Sequence, residues 1–76
     1  MLNPNDYYMS RDEWEDLIDQ YIFSERDRAI VKRKLLDHIK FEPLAEEFEL
    51  SERHTKTIVK EAEAQLMKHI NFKFLR

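Results

Sequence analysis

Apolar residues recur along this chain at intervals of three and four, the period of a helix with one buried side, in four separate runs. Trp14, Leu17, Ile18, Tyr21 and Ile22 make the first run and leave Asp12, Glu15, Asp16 and Asp19 facing water. Ser10 and Glu13 form the Ser-x-x-Glu pattern of a capping box, so the first helix begins there, with Trp14 as its main anchor. The second run follows Ser24, an N-cap residue ahead of acidic Glu25 and Asp27, and predicts a helix from Glu25 to His38. Its inward positions are Ala29 or Ile30, Val31, Leu35 or Leu36, and Ile39. Arg26, Arg28, Lys32 and Arg33 lie outward among acids. Such a mixture ordinarily means a solvated face with i, i+4 pairs, although Arg26, Lys32 and Arg33 are also long enough to reach a phosphate.

Lys40, Phe41 and Glu42 connect to Pro43, which suits the first turn of a third, short helix with Leu44, Ala45 and Phe48 on its buried stripe. Glu49 and Leu50 break that stripe. Ser51 then stands as the N-cap of a long fourth helix starting at Glu52. Thr55, Ile58, Val59, Ala62 and Leu66 face inward along it, and Arg53, His54, Lys56, Thr57 and Lys60 face out. One stripe holds this helix while its first turns stay free, the layout of a helix-turn-helix that enters a major groove. The helix continues through Met67 and Ile70. The apolar tail of Phe72, Phe74 and Leu75 either packs against the first helix of the same molecule or meets a second chain in a homodimer. Residues 1–9 lack a period, and Asn3, Pro4, Asn5 and Asp6 are turn formers, so they read as a loose arm. Tyr7, Tyr8 and Met9 are better explained as a staple onto the first helix than as a partner-binding hook. The expected architecture is all-α: an arm over 1–9 and a small four-helix domain over 10–76 with a C-terminal helix-turn-helix.

Composition narrows this further. A chain of 76 residues makes one domain with a thin core, burying only about 60% of its unfolded surface. Zero glycine and two prolines fit helices better than small sheets. Without cysteine there is neither disulfide nor thiolate zinc site, which fits a cytoplasmic protein held together by helix packing or self-association. No apolar run approaches a membrane span, and the first ten residues lack the features of a signal peptide, so no membrane partner is expected. His38, His54 and His69 form no His-x-x-x-His pair, so no metal is expected. No glycine-rich phosphate loop and no cysteine nucleophile is present, and the carboxylates are explained by solvated faces. No catalytic residue and no cofactor is therefore expected. Net charge is −3, which by itself counts against nucleic acid. Its distribution reverses that judgement: residues 1–23 hold one basic and six acidic side chains, residues 53–76 six basic and two acidic. Such asymmetry points one end of the molecule at a polyanion.

Phe23-Ser24-Glu25-Arg26-Asp27-Arg28, Leu44-Ala45-Glu46, Leu50-Ser51-Glu52 and then Ala62 and Leu66 resemble the DNA-binding domain that closes bacterial sigma factors, region four. Response-regulator output domains are built similarly. The resemblance implies that Ala45 lets two helices approach and that Ser51 caps a recognition helix. It further implies that Glu52, Arg53, Lys56 and Thr57 face the promoter, with Lys60 toward the backbone. On chemistry alone, Arg53 is the best candidate for base readout, since a bidentate guanine contact is worth about 1–3 kcal/mol of discrimination. Pairing with Glu49 or Glu52 is its bland alternative. Lys56 and Lys60, like charges at i, i+4, want a counter-charge such as phosphate. His54 and Thr57 can touch a base or a phosphate, though exposed polar filler is the more ordinary role.

Four departures from the family pattern carry expectations of their own. A glycine is usual at Glu49, so its absence predicts a turn of different form. Thr55 replaces an apolar residue and should bond back to a carbonyl one turn earlier. Lys40 and Phe41 replace a polar serine or aspartate ahead of the third helix. Glu46, Glu47, Glu49 and Glu52 lie near the path of the phosphates. Two functions fit. One is a transcription regulator on duplex DNA, aided by dimerisation or by RNA polymerase or another protein on the acidic first helix. The other is a non-enzymatic adaptor or inhibitor of phage or mobile-element type that reuses the helix-turn-helix.

Overall fold

A computed structural model of the chain describes residues 2–70. Four α-helices build the domain: α1 (Arg11–Tyr21), α2 (Glu25–Leu35), α3 (Phe41–Glu47) and α4 (Glu52–Met67). The first-turn amides of a helix have no partner within it, and serine side chains supply one in three of the four cases. Ser10 Oγ accepts from the Glu13 amide while Glu13 Oε1 accepts from the Ser10 amide, each at 3.2 Å, closing the capping box. Ser24 Oγ accepts from Asp27 at 3.3 Å and Ser51 Oγ from His54 at 3.0 Å. α3 differs, starting at Phe41 rather than at Pro43, behind Lys40, which makes no side-chain cap. Pro43 still falls in the first turn, where its missing amide costs no helical hydrogen bond.

α2 is shorter than its apolar period implies, ending at Leu35 and not at His38. His38 takes the left-handed conformation, φ 58°, which no α-helix can continue. The chain turns back there, and the Ile39 amide bonds the Arg33 carbonyl at 3.2 Å.

α4 is common to both halves of the core. Its C-terminal half gives Ala62 and Leu66 to a cluster with Trp14 and Ile18 of α1 and Val31 and Leu35 of α2. Its N-terminal half gives Ile58 and Val59 to a second cluster with Ile30 of α2 and Leu44 of α3. All five positions read as inward on α4 are buried, and α2 settles on Ile30 and Leu35, leaving Ala29 and Leu36 only partly covered. Thr55 is 0% exposed, and its Oγ1 donates to the Ser51 carbonyl at 2.9 Å, the back-bond its sequence position predicts.

The first residues do not hang loose. A 3₁₀ turn over Pro4–Asp6 folds them back, Leu2 and Tyr7 join the α1 cluster, and the Leu2 amide donates to Glu63 Oε2 at 3.0 Å. Tyr7 meets Trp14 edge to face, ring centroids 5.6 Å apart, and Met9 packs beside them. A single leucine has no period to announce its burial, which is why the arm reads as loose in the sequence. The apolar tail of Phe72, Phe74 and Leu75 lies outside the described residues.

Exposed ion pairs brace the helices: Lys32 to Asp19 at 2.7 Å, Arg11 to Asp37 at 2.9 Å, and Arg33 to Glu47 through two bonds of 2.9 and 2.6 Å. Pairs this open contribute at most about 1 kcal/mol each and chiefly fix orientation. The hydrogen bond that Arg11 donates to Asp37, followed by the charge of that carboxylate, raises the Arg11 pKa above its ordinary value.

Between α3 and α4 the turn keeps its left-handed residue without a glycine, contrary to the different form expected. Glu49 sits at φ 56°, its amide reaches the Glu46 carbonyl at 3.2 Å, and the Leu50 amide reaches Ala45 at 2.9 Å. These are the two bonds of a Schellman motif, and Leu50 completes it by packing on the second cluster. Together they outweigh the side-chain crowding of a non-glycine residue, about 1–2 kcal/mol. Glu49→Gly should therefore raise stability, by about 1 kcal/mol after the entropy glycine adds to the unfolded chain. A urea midpoint at or below that of the natural chain would show no strain to relieve.

Candidate nucleic-acid interface

Ser51 starts α4 one residue before Glu52, and the inward pull of Thr55, Ile58 and Val59 turns the opposite side of its first turns to water. Glu52, Arg53, His54, Lys56, Thr57 and Lys60 are all exposed there. Five of these six line one open groove of about 430 Å³: Glu52, Arg53, Lys56, Thr57 and Lys60. They are linked by steps of three and four residues, so they share an edge of the helix. His54, one turn before Thr57, does not line the groove.

The charges along this edge are unequal. Lys56 Nζ lies 3.4 Å from Glu52 Oε1 and 5.7 Å from the centroid of the Phe41 ring, so its repulsion from Lys60 is relieved within the molecule. Thr57 Oγ1 donates to the Arg53 carbonyl at 3.1 Å, which commits its proton to the helix. Arg53 and Lys60 have no carboxylate partner among the described residues, and the pairing of Arg53 with Glu49 or Glu52 does not form. Sequence reasoning passed over Phe41 as a connector. Its ring lies 4.3 Å from Lys34 Nζ and borders a second groove with Lys56, Val59 and Lys60. Nothing local in the sequence ties Phe41 to α4; only the α3–α4 turn brings them together.

The cations of α2 singled out as phosphate contacts are occupied. Arg26 pairs with Asp27 at 3.1 Å, Lys32 with Asp19 and Arg33 with Glu47. Among the described residues, Lys34, Lys40, Arg53, Lys60 and Lys68 make no ion pair; Lys34 is held by the Ile39 carbonyl and the Phe41 ring, and the other four lie in the second half of the chain. The acidic run beside them is half neutralised: Glu47 by Arg33 and Glu52 by Lys56, with Glu46 and Glu49 left open. The positive edge of α4 is thus short, centred on Arg53 and Lys60, and not continuous with α2.

Among the described residues no cluster of three or more histidines or carboxylates is arranged to hold a metal, and no helix is long and apolar enough to cross a membrane. Compared with known proteins, this chain matches no family model, no curated protein and no solved structure.

Proposed function

We propose that this chain is a non-enzymatic, duplex-DNA-binding regulator of the kind that sigma region four exemplifies, with α4 entering the major groove. Arg53 faces the base edges, Lys60 a flanking phosphate, and Lys56 joins it by exchanging Glu52 for the backbone. The observation that carries the reading is the placement of unpaired cations. Internal ion pairs consume every arginine and all but one lysine of residues 1–39, the exception being Lys34 against Phe41, whereas Arg53 and Lys60 stay open on the exposed edge of α4. So few phosphate contacts give weak binding by a lone domain, and a dimer or a polymerase-type partner on the acidic face of α1 would raise it.

A gel shift on random-sequence duplex tests this. The natural chain should bind at low salt and release as salt rises, and Arg53→Ala combined with Lys56→Ala should lose the shift with helicity unchanged. Open Glu46 and Glu49 favour the second reading, an adaptor or inhibitor that keeps the helix-turn-helix without DNA. A natural chain that ignores duplex at low salt decides for it.

A further inference from the structure

The connection between α1 and α2 holds a phenylalanine out in water: Phe23 is 91% exposed. Its backbone is anchored. Arg28 Nη1 donates to the carbonyls of both Ile22 and Phe23 at 2.9 Å, and Ser24 caps the helix that follows. A ring on a fixed backbone forgoes its burial in the free chain and loses little freedom on docking. Beside it runs a groove of about 430 Å³ against α4, with Tyr21 and Phe23 on one side and Ile58, Glu61, Ala62 and Gln65 on the other. This flank of α4 shares no residue with the groove of Arg53 and Lys60.

Two further residues say what fits there. Glu61 borders the groove, and Lys68 follows Gln65 by one turn on the same flank. Glu61 and Lys68 are exposed, opposite in charge, and without an ion partner among the described residues. A two-fold axis across α4 between them runs a second α4 antiparallel, setting Glu61 of each copy against Lys68 of the other. The patch is then self-complementary, holding an apolar knob, a place to bury it and matched charges.

We propose that this groove receives a second copy of the chain, in a two-fold dimer with Phe23 of each protomer entering the other's groove. The dimer does not depend on DNA binding and leaves Arg53 and Lys60 uncovered. Sedimentation equilibrium of the full chain at low salt tests it. The natural chain should show a reversible monomer–dimer equilibrium, and Phe23→Ser should raise the dissociation constant at least about tenfold. Its helicity should be unchanged, because the ring lies outside the core. Glu61→Lys and Lys68→Glu should each weaken the dimer, and the two together should restore it. A natural chain that stays monomeric up to about 1 mM, a dimer indifferent to Phe23→Ser, or a double charge swap no better than the single changes would overturn the proposal.

Discussion

Leu66→Ala should unfold much of the population at room temperature. Leu66 is 0% exposed where α4 meets Trp14, Ile18 and Leu35, so truncation loses its transfer free energy and opens a cavity. Such changes cost about 2–5 kcal/mol, against the roughly 3–5 kcal/mol that a single core of this size supplies. The two are comparable, so cooperative melting should weaken or vanish in thermal circular dichroism, and the midpoint should fall by at least about 10 °C. Met67→Ala, one residue on and 52% exposed, should stay within about 0.5 kcal/mol of the natural chain. Equal effects at the two positions would mean that α4 does not bury the face described.

Arg53→Glu with Lys60→Glu should reduce affinity for duplex DNA on the order of a hundredfold at low salt, since each change removes an attraction and adds a repulsion. Both side chains are exposed and without ion partners among the described residues, so no internal contact is broken and stability should hold. The informative comparison is between the single changes Arg53→Glu and Arg26→Glu, equal reversals of which the second falls on a cation already held by Asp27. Arg26→Glu should weaken binding far less, as read by fluorescence anisotropy of a labelled duplex. Equal losses from both sites would point to diffuse attraction by net charge, with no oriented contact through α4.

The helices were legible in the sequence because a thin core leaves each of them one apolar stripe. Five inward positions of α4, the three serine caps and the back-bonded Thr55 follow from spacing and local chemistry alone. The misses have two causes, contacts made far along the chain and local bonds that apolar spacing does not announce. Leu2 has no periodic neighbours, yet it is buried and bonds Glu63. Glu49 looks unfit for a left-handed turn until the bonds of Leu50 and its own amide are counted. At the candidate interface the outward residues could be named, but their ionic partners could not. Glu52 neutralising Lys56, and Asp19 holding Lys32, depend on side-chain choices that hydrophobic period does not encode.

The most direct measurement is the affinity of the natural chain for a random duplex across a salt series from low to physiological. Phosphate contacts from Lys56 and Lys60 should give a line of log affinity against log salt with a slope of about −2, reduced to about −1 in Lys56→Ala. A chain that binds no duplex at the lowest salt, or binds with an affinity that salt does not change, would contradict a groove-reading α4.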